Sequence, residues 1–186
     1  MNYQNIIQKY SQILDEFFAT RAFLFEKVVD LTAESLKTGH KILIFGNGGS
    51  AAQAQHFAAE LVNKFLKTRL ALKAISLATD TSALTSISND ISFDYVFVRQ
   101  IEALGDEGDV ALGLSTSGNS PNVIKAIETA KEKELLTVAF TGKGGGKLAP
   151  SVDYLLDIPS ESTPRIQEAH LLLLHLLAQE IEERLS

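Results

Sequence analysis

The sequence predicts an α/β fold in which a five-stranded parallel sheet lies between layers of helices. Short apolar runs at 42–45, 110–114 and 136–141 alternate with longer stretches of helical periodicity. Strands alternating with helices imply a parallel sheet covered on both faces. The first run passes straight into the glycine-rich turn Gly46-Asn47-Gly48-Gly49 and then an alanine-rich helix. No repeat, linker or low-complexity stretch interrupts the alternation, and 186 residues suit one domain, 1–186, with a sizeable core.

Taken in order, residues 5–18 place Ile6, Tyr10, Ile13 and Phe17 at spacings of four, three and four, the stripe of an amphipathic helix. Thr20 is positioned to cap a second helix carrying Phe23, Leu24, Val28, Leu31 and Leu36, closed by Gly39. This helical segment, 1–38, holds more apolar surface than a small sheet needs. It packs either on another subunit or on the chain's own sheet, the remaining 39–186 forming the α/β core with a C-terminal helix.

The run 42–45 is too short for a helix and reads as a buried strand. Ser50 suits the N-cap of a helix over 51–64. A second strand is expected over 70–77, then an irregular or helical stretch containing Asn89-Asp90, and a helix over 95–104. Strands at 110–114, 136–141 and 154–158 follow, with a helix over 121–133 and a flexible glycine loop at 142–146. A leucine-dense helix over 163–184 ends the chain.

Composition narrows the function. A net charge of −6 argues against a general nucleic-acid binder, which is usually basic. With no cysteine there are no disulfides or thiolate sites, so a metal must take His, carboxylate or amide ligands. The N-terminus lacks the basic–apolar–cleavage pattern of a signal, and no apolar run is long enough to span a membrane. A cytoplasmic protein without membrane contact is expected.

Strand, glycine turn and helix N-terminus together make an anion site, because free N–H groups and the positive end of the helix dipole point the same way. Gly46-x-Gly48-x-x-Ala51 also fits the loose dinucleotide fingerprint. That fold wants an acidic residue about twenty positions on, and residues 67–72 contain none. Further along the helix, His56 and Glu60 are four apart and share a face, as a surface pair or as part of a site. The third strand runs into Ser115-Thr116-Ser117-Gly118-Asn119-Ser120-Pro121. Its hydroxyls sit at the carboxyl end of a strand, where ligands bind in open α/β sheets. Ser120 suits the cap of the next helix and Pro121 its first position. Hydroxyls and helix-terminal N–H groups suit a phosphate. The run 142–146 fails the P-loop spacing, so ATP has no support.

These two motifs, together with Thr163-Pro-Arg-Ile-Gln-Glu-Ala-His170, resemble the sugar isomerase (SIS) domain, specifically the phosphoheptose isomerases. The resemblance covers nearly the whole chain. It implies a homotetramer with active sites near subunit interfaces, and interconversion of sedoheptulose 7-phosphate with D-glycero-D-manno-heptose 7-phosphate. That step leads toward nucleotide-activated heptose for lipopolysaccharide or capsule. Residue by residue, it assigns Asn47, Gly48, Gly49 and Ser50 to a substrate-binding turn, and Asn89 and Asp90 to substrate contact. Ser115, Thr116, Ser117 and Ser120 would hold the phosphate. His56, Glu60, Gln167 and His175 match a zinc site with one Zn2+ per subunit, and Gln167 also falls among the substrate contacts. Glu60, which touches substrate as well, and His175 match the catalytic base and acid. Pro164 departs from the pattern, since some members carry an acidic residue there.

The residues themselves agree in part. His and Glu at i, i+4 can reach one ion, and imidazole with oxygen ligands suits zinc better than magnesium. Gln167 and His175 are eight apart, roughly 12 Å along a helix axis, a stretch for two ligands of one ion. His170 is expected to be a packed or interface histidine. Aldose–ketose isomerisation needs a base, an acid and charge stabilisation for the enediol. The rival class is a non-catalytic SIS adaptor that binds a replication-initiator protein. That subgroup resembles this chain in the glycine turn and the 165–168 run but lacks the histidine at 175.

Overall fold

The computed structural model describes residues 3–186, leaving Met1 and Asn2 of the expected 1–186 unit outside the described residues. The chain opens with α1 (Tyr3–Lys37), β1 (Ile42–Gly46), α2 (Gly49–Val62), β2 (Ala74–Ser76), α3 (Thr81–Asp90) and α4 (Val98–Leu104). It continues with β3 (Val110–Ser115), α5 (Pro121–Glu132), β4 (Leu136–Thr141), β5 (Tyr154–Asp157) and α6 (Thr163–Leu185). The strands form one parallel sheet in the order β2-β1-β3-β4-β5. This is the five-stranded α/β architecture expected. Strand order reverses between β1 and β3, so their carboxyl ends flank the crevice where such sheets bind ligands.

Side chains alternate across this sheet. Ile42, Ile44, Val110, Leu112, Val138 and Phe140 face a core completed by α1, α2 and α6. Leu43, Phe45, Ala111 and Ala139 face a second core completed by α4 and α5. Every residue of β1 and β3 is buried. That double burial is why their sequences are continuous apolar runs rather than alternating ones.

Three elements differ from expectation. The two N-terminal helices are one, 35 residues long. Thr20 does not cap: its hydroxyl donates back to the Glu16 carbonyl at 2.9 Å inside the helix. The buried residues of this helix begin only at Phe17, while Tyr10, Ile13 and Leu14 pack half-buried against the core. The expected strand over 70–77 shrinks to three residues. The chain before it is drawn toward the end of α2, where Leu72 N–H donates to the Leu61 carbonyl at 3.1 Å. The expected helix over 95–104 begins instead as a short 3-10 turn, Phe93–Tyr95, started by the Ser92 hydroxyl accepting from Asp94 N–H. Among the described residues no helix is long and apolar enough to cross a membrane.

Candidate active site

The glycine turn leaves β1 at the crevice. Gly48, not Ser50, takes the N-cap of α2, and its φ of +57° lies in the left-handed region that only glycine enters without strain. Ser50 is the second residue of the helix, buried, its N–H donating to the Asn47 carbonyl at 3.0 Å. No side chain caps the first turn of α2.

Across the crevice, Ser120 is the N-cap residue of α5 and Pro121 its first residue, as expected, yet the Ser120 hydroxyl makes no cap bond. It pairs with the Ser115 hydroxyl at 3.2 Å. Ser117 accepts from Asn119 N–H at 3.1 Å and is exposed, with Thr116 beside it half-buried. The loop at 142–146, expected to be flexible, is the backing of this serine loop. A Cβ on Gly118 would stand 1.9 Å from the Gly145 carbonyl oxygen, so the two backbones touch. Leu148 N–H donates to the Gly118 carbonyl and Lys147 N–H to the Asn119 side chain.

A residue that sequence reasoning missed joins the two loops. Asn122, buried in the first turn of α5, exchanges two hydrogen bonds of 2.9 Å with Asn47. Each amide satisfies the other, which ties the glycine turn to the serine loop across the switch point. Its only sequence signal was a polar residue next to the loop.

α6 brings the remaining groups. His56 and Glu60 point from α2 toward His175 on α6. Their atoms stand 3.0 Å (His56 Nε2 to Glu60 Oε1), 3.0 Å (His56 Nε2 to His175 Nε2) and 3.6 Å (His175 Nε2 to Glu60 Oε1) apart. These three form a cluster of potential metal ligands within a single chain. They line an open cleft of about 460 Å³ with Ala52, Gln53 and Leu171. Gln53 was also missed: its amide donates to the Gln167 carbonyl at 2.7 Å and so pins α2 to α6.

The donor set fits a zinc ion. Ligands about 2.0–2.1 Å from a tetrahedral zinc stand roughly 3.3 Å from one another, which the three observed separations bracket. The second oxygen of Glu60 is buried and has no hydrogen-bond partner among the described residues. Gln167 is the fourth expected ligand. Its carboxamide lies against Gly49, where an added Cβ would meet Nε2 at 2.8 Å. Gly49 is seven residues from His56, roughly 10 Å along the helix.

Asn89 and Asp90 end α3, exposed, with Asn89 donating to Asp90 at 2.7 Å. Neither belongs to the His56–Glu60–His175 cluster or lines its cleft. His170 is packed as expected, wholly buried, its Nε2–H donating to the Thr141 carbonyl at 3.1 Å.

Comparison with known proteins agrees with this geometry. The SIS domain family model matches residues 5–142. Phosphoheptose isomerase 1 of Campylobacter jejuni is 56% identical over 157 residues, 84% of each chain. The phosphoheptose isomerase of Helicobacter pylori strain P12 is 47% identical over 186 residues, covering 98% of this chain and 97% of its own. Among solved structures, phosphoheptose isomerase from Neisseria gonorrhoeae superposes with a TM-score of 0.91 at 42% identity, covering 97% of both chains.

Proposed function

The chain belongs to the SIS domain family and, within it, to the phosphoheptose isomerases, and from that membership we propose that it interconverts sedoheptulose 7-phosphate and D-glycero-D-manno-heptose 7-phosphate. The observation that carries this reading is the meeting of Glu60 with His175 in one cleft. A carboxylate and an imidazole are the base and acid that a ketose–aldose shift needs.

In the ketose-to-aldose direction, Glu60 removes a proton from C1 while the C2 oxygen gains one, giving the enediol. A proton then returns to C2 as the C1 hydroxyl loses its own. His175 serves the two oxygens. Ser115, Thr116, Ser117 and Ser120, with the N-terminus of α5, hold the phosphate without a fixed cation, which is consistent with the chain's acidic balance. Asn47, Gly48, Gly49 and Ser50 bind the sugar at the glycine turn, and Gln167 reaches it from α6. Asn89 and Asp90 complete the substrate contacts.

His56, Glu60 and His175 hold one zinc ion per subunit. When bound, it supplies Lewis-acid stabilisation of charge on the sugar oxygens. The whole chain acts as one unit in a cytoplasmic homotetramer, and the exposed apolar residues of α1 support that assembly. Its product feeds nucleotide-activated heptose for surface polysaccharide. The clustered His175 favours this enzyme over a non-catalytic adaptor.

The test is incubation with sedoheptulose 7-phosphate and detection of the aldose 7-phosphate, before and after chelation and zinc repletion. Zinc-dependent formation of the aldose is expected. No product from the zinc-loaded protein would overturn the reading.

A further inference from the structure

Seven residues beyond His175, and so on the same face of α6, stands Glu182, a carboxylate only 1% exposed. It accepts three successive backbone N–H groups, from Phe65 at 2.7 Å, Leu66 at 2.8 Å and Lys67 at 3.0 Å. Arg69 Nε lies 3.0 Å from the same carboxylate. The Arg69 guanidinium also donates to the carbonyls of Glu60 at 2.9 Å and Leu61 at 2.8 Å. The loop between α2 and β2 is thereby fastened to both helices that carry the cluster. Where it is fastened, the Phe65 ring stacks on the His175 imidazole, with centroids 5.6 Å apart and planes 22° from parallel. The His56 ring meets His175 edge-on at 5.2 Å.

We propose that Phe65, Arg69 and Glu182 are positioning residues for the site. The Glu182–Arg69 anchor sets the spacing of α2 from α6, and Phe65 fixes the plane of the His175 ring so that Nε2 faces Glu60. A buried ion pair is poor value as a stabiliser, because an apolar pair of the same volume is often as stable or more so. What this one supplies is geometry: it joins the backbone of Glu60 itself to the helix of His175. Phe65 offers that imidazole a flat apolar wall and no polar atom, so its effect on the histidine is orientation. The proposal rests on the reading of His56, Glu60 and His175 as the metal-binding and catalytic cluster.

The experiment compares Phe65→Leu, Phe65→Tyr and Glu182→Gln with wild type. It reads kcat and KM for sedoheptulose 7-phosphate, the melting temperature, and the zinc dissociation constant by chelator competition without substrate. Groups that orient metal-bound histidines change affinity by about ten- to a hundredfold. Phe65→Leu is expected to weaken zinc and lower kcat by about tenfold each, the lower end of that range, with KM and melting temperature nearly unchanged. Phe65→Tyr should restore both. Glu182→Gln should lose kcat and zinc affinity together with stability, and if it does not fold the Phe65 pair decides alone. Wild-type kcat and zinc affinity in folded Phe65→Leu would overturn the proposal. His175→Asn separates the two readings: if it weakens zinc while Phe65→Leu does not, only the positioning role fails. If it leaves zinc affinity unchanged, the cluster itself is misassigned.

Discussion

His56 Nε2 and His175 Nε2 stand 3.0 Å apart although 119 positions separate them in the chain. Two unlinked helices converge on that point, and Glu60, one turn beyond His56, completes it. An acid–base pair drawn from distant segments works only if packing fixes both partners. Here Gln53 bonds α2 to the backbone of α6 next to the site.

Glu60→Gln keeps the shape and one possible metal contact while removing the base. Turnover should fall at least about a hundredfold, the usual contribution of a positioned general base, with substrate binding much less affected. His175→Asn should do comparable damage. Hydrogen exchange at the reacting carbon in heavy water is the direct readout. Near wild-type exchange in Glu60→Gln would refute the assignment of the base.

Ser117→Ala and Ser120→Ala should raise KM more than they lower kcat, each by about fivefold, equivalent to about 1 kcal/mol of a lost hydrogen bond. Ser120 should show the larger effect on the loop itself, because its hydroxyl partners Ser115 rather than capping α5. Unphosphorylated sedoheptulose turned over as efficiently as its 7-phosphate would contradict a phosphate cradle at these residues.

The strands were legible because burial on both faces leaves an unbroken apolar run, as at Ile42 to Phe45. The anion-binding turns were legible because glycine and serine stand where strands end. What stayed hidden depends on contacts between segments. Thr20 reads as a cap from its neighbours, yet bonding back to Glu16 lets the helix run on. The residues before Ala74 have strand-like composition but follow Arg69 and Glu182 instead. Gln53 and Phe65 carry no local signal, and Asn122 only that of a polar residue beside a loop. Each matters through a partner more than 70 positions away.

Assembly should depend on the exposed apolar residues of α1. Ile7 is 67% and Phe23 87% exposed on the single chain, so Ile7→Glu and Phe23→Glu should lower the mass seen by light scattering while the subunit stays folded. Phe17 is different. It is wholly buried in the chain's own core, edge-on to Phe18, so a charge there should unfold the subunit rather than dissociate it. A monomer mass for the wild-type protein would dismiss the tetramer.

His170 should make stability depend on pH. Burial pushes its pKa down to about 4 from 6.5, opposed only by the hydrogen bond to Thr141. Between those values the unfolded chain binds a proton that the folded chain does not, so stability rises with pH across that window. The contribution is complete above about pH 6.5 and is lost as pH falls toward 4, amounting to roughly 3 kcal/mol at 1.36 kcal/mol per unit. Urea unfolding measured from pH 7.5 to 4.5 should therefore show a steeper acid loss in wild type than in His170→Gln, whose amide can still donate to Thr141 but cannot titrate. Identical slopes in the two proteins would mean that His170 takes up its proton in the folded state as readily as in the unfolded one.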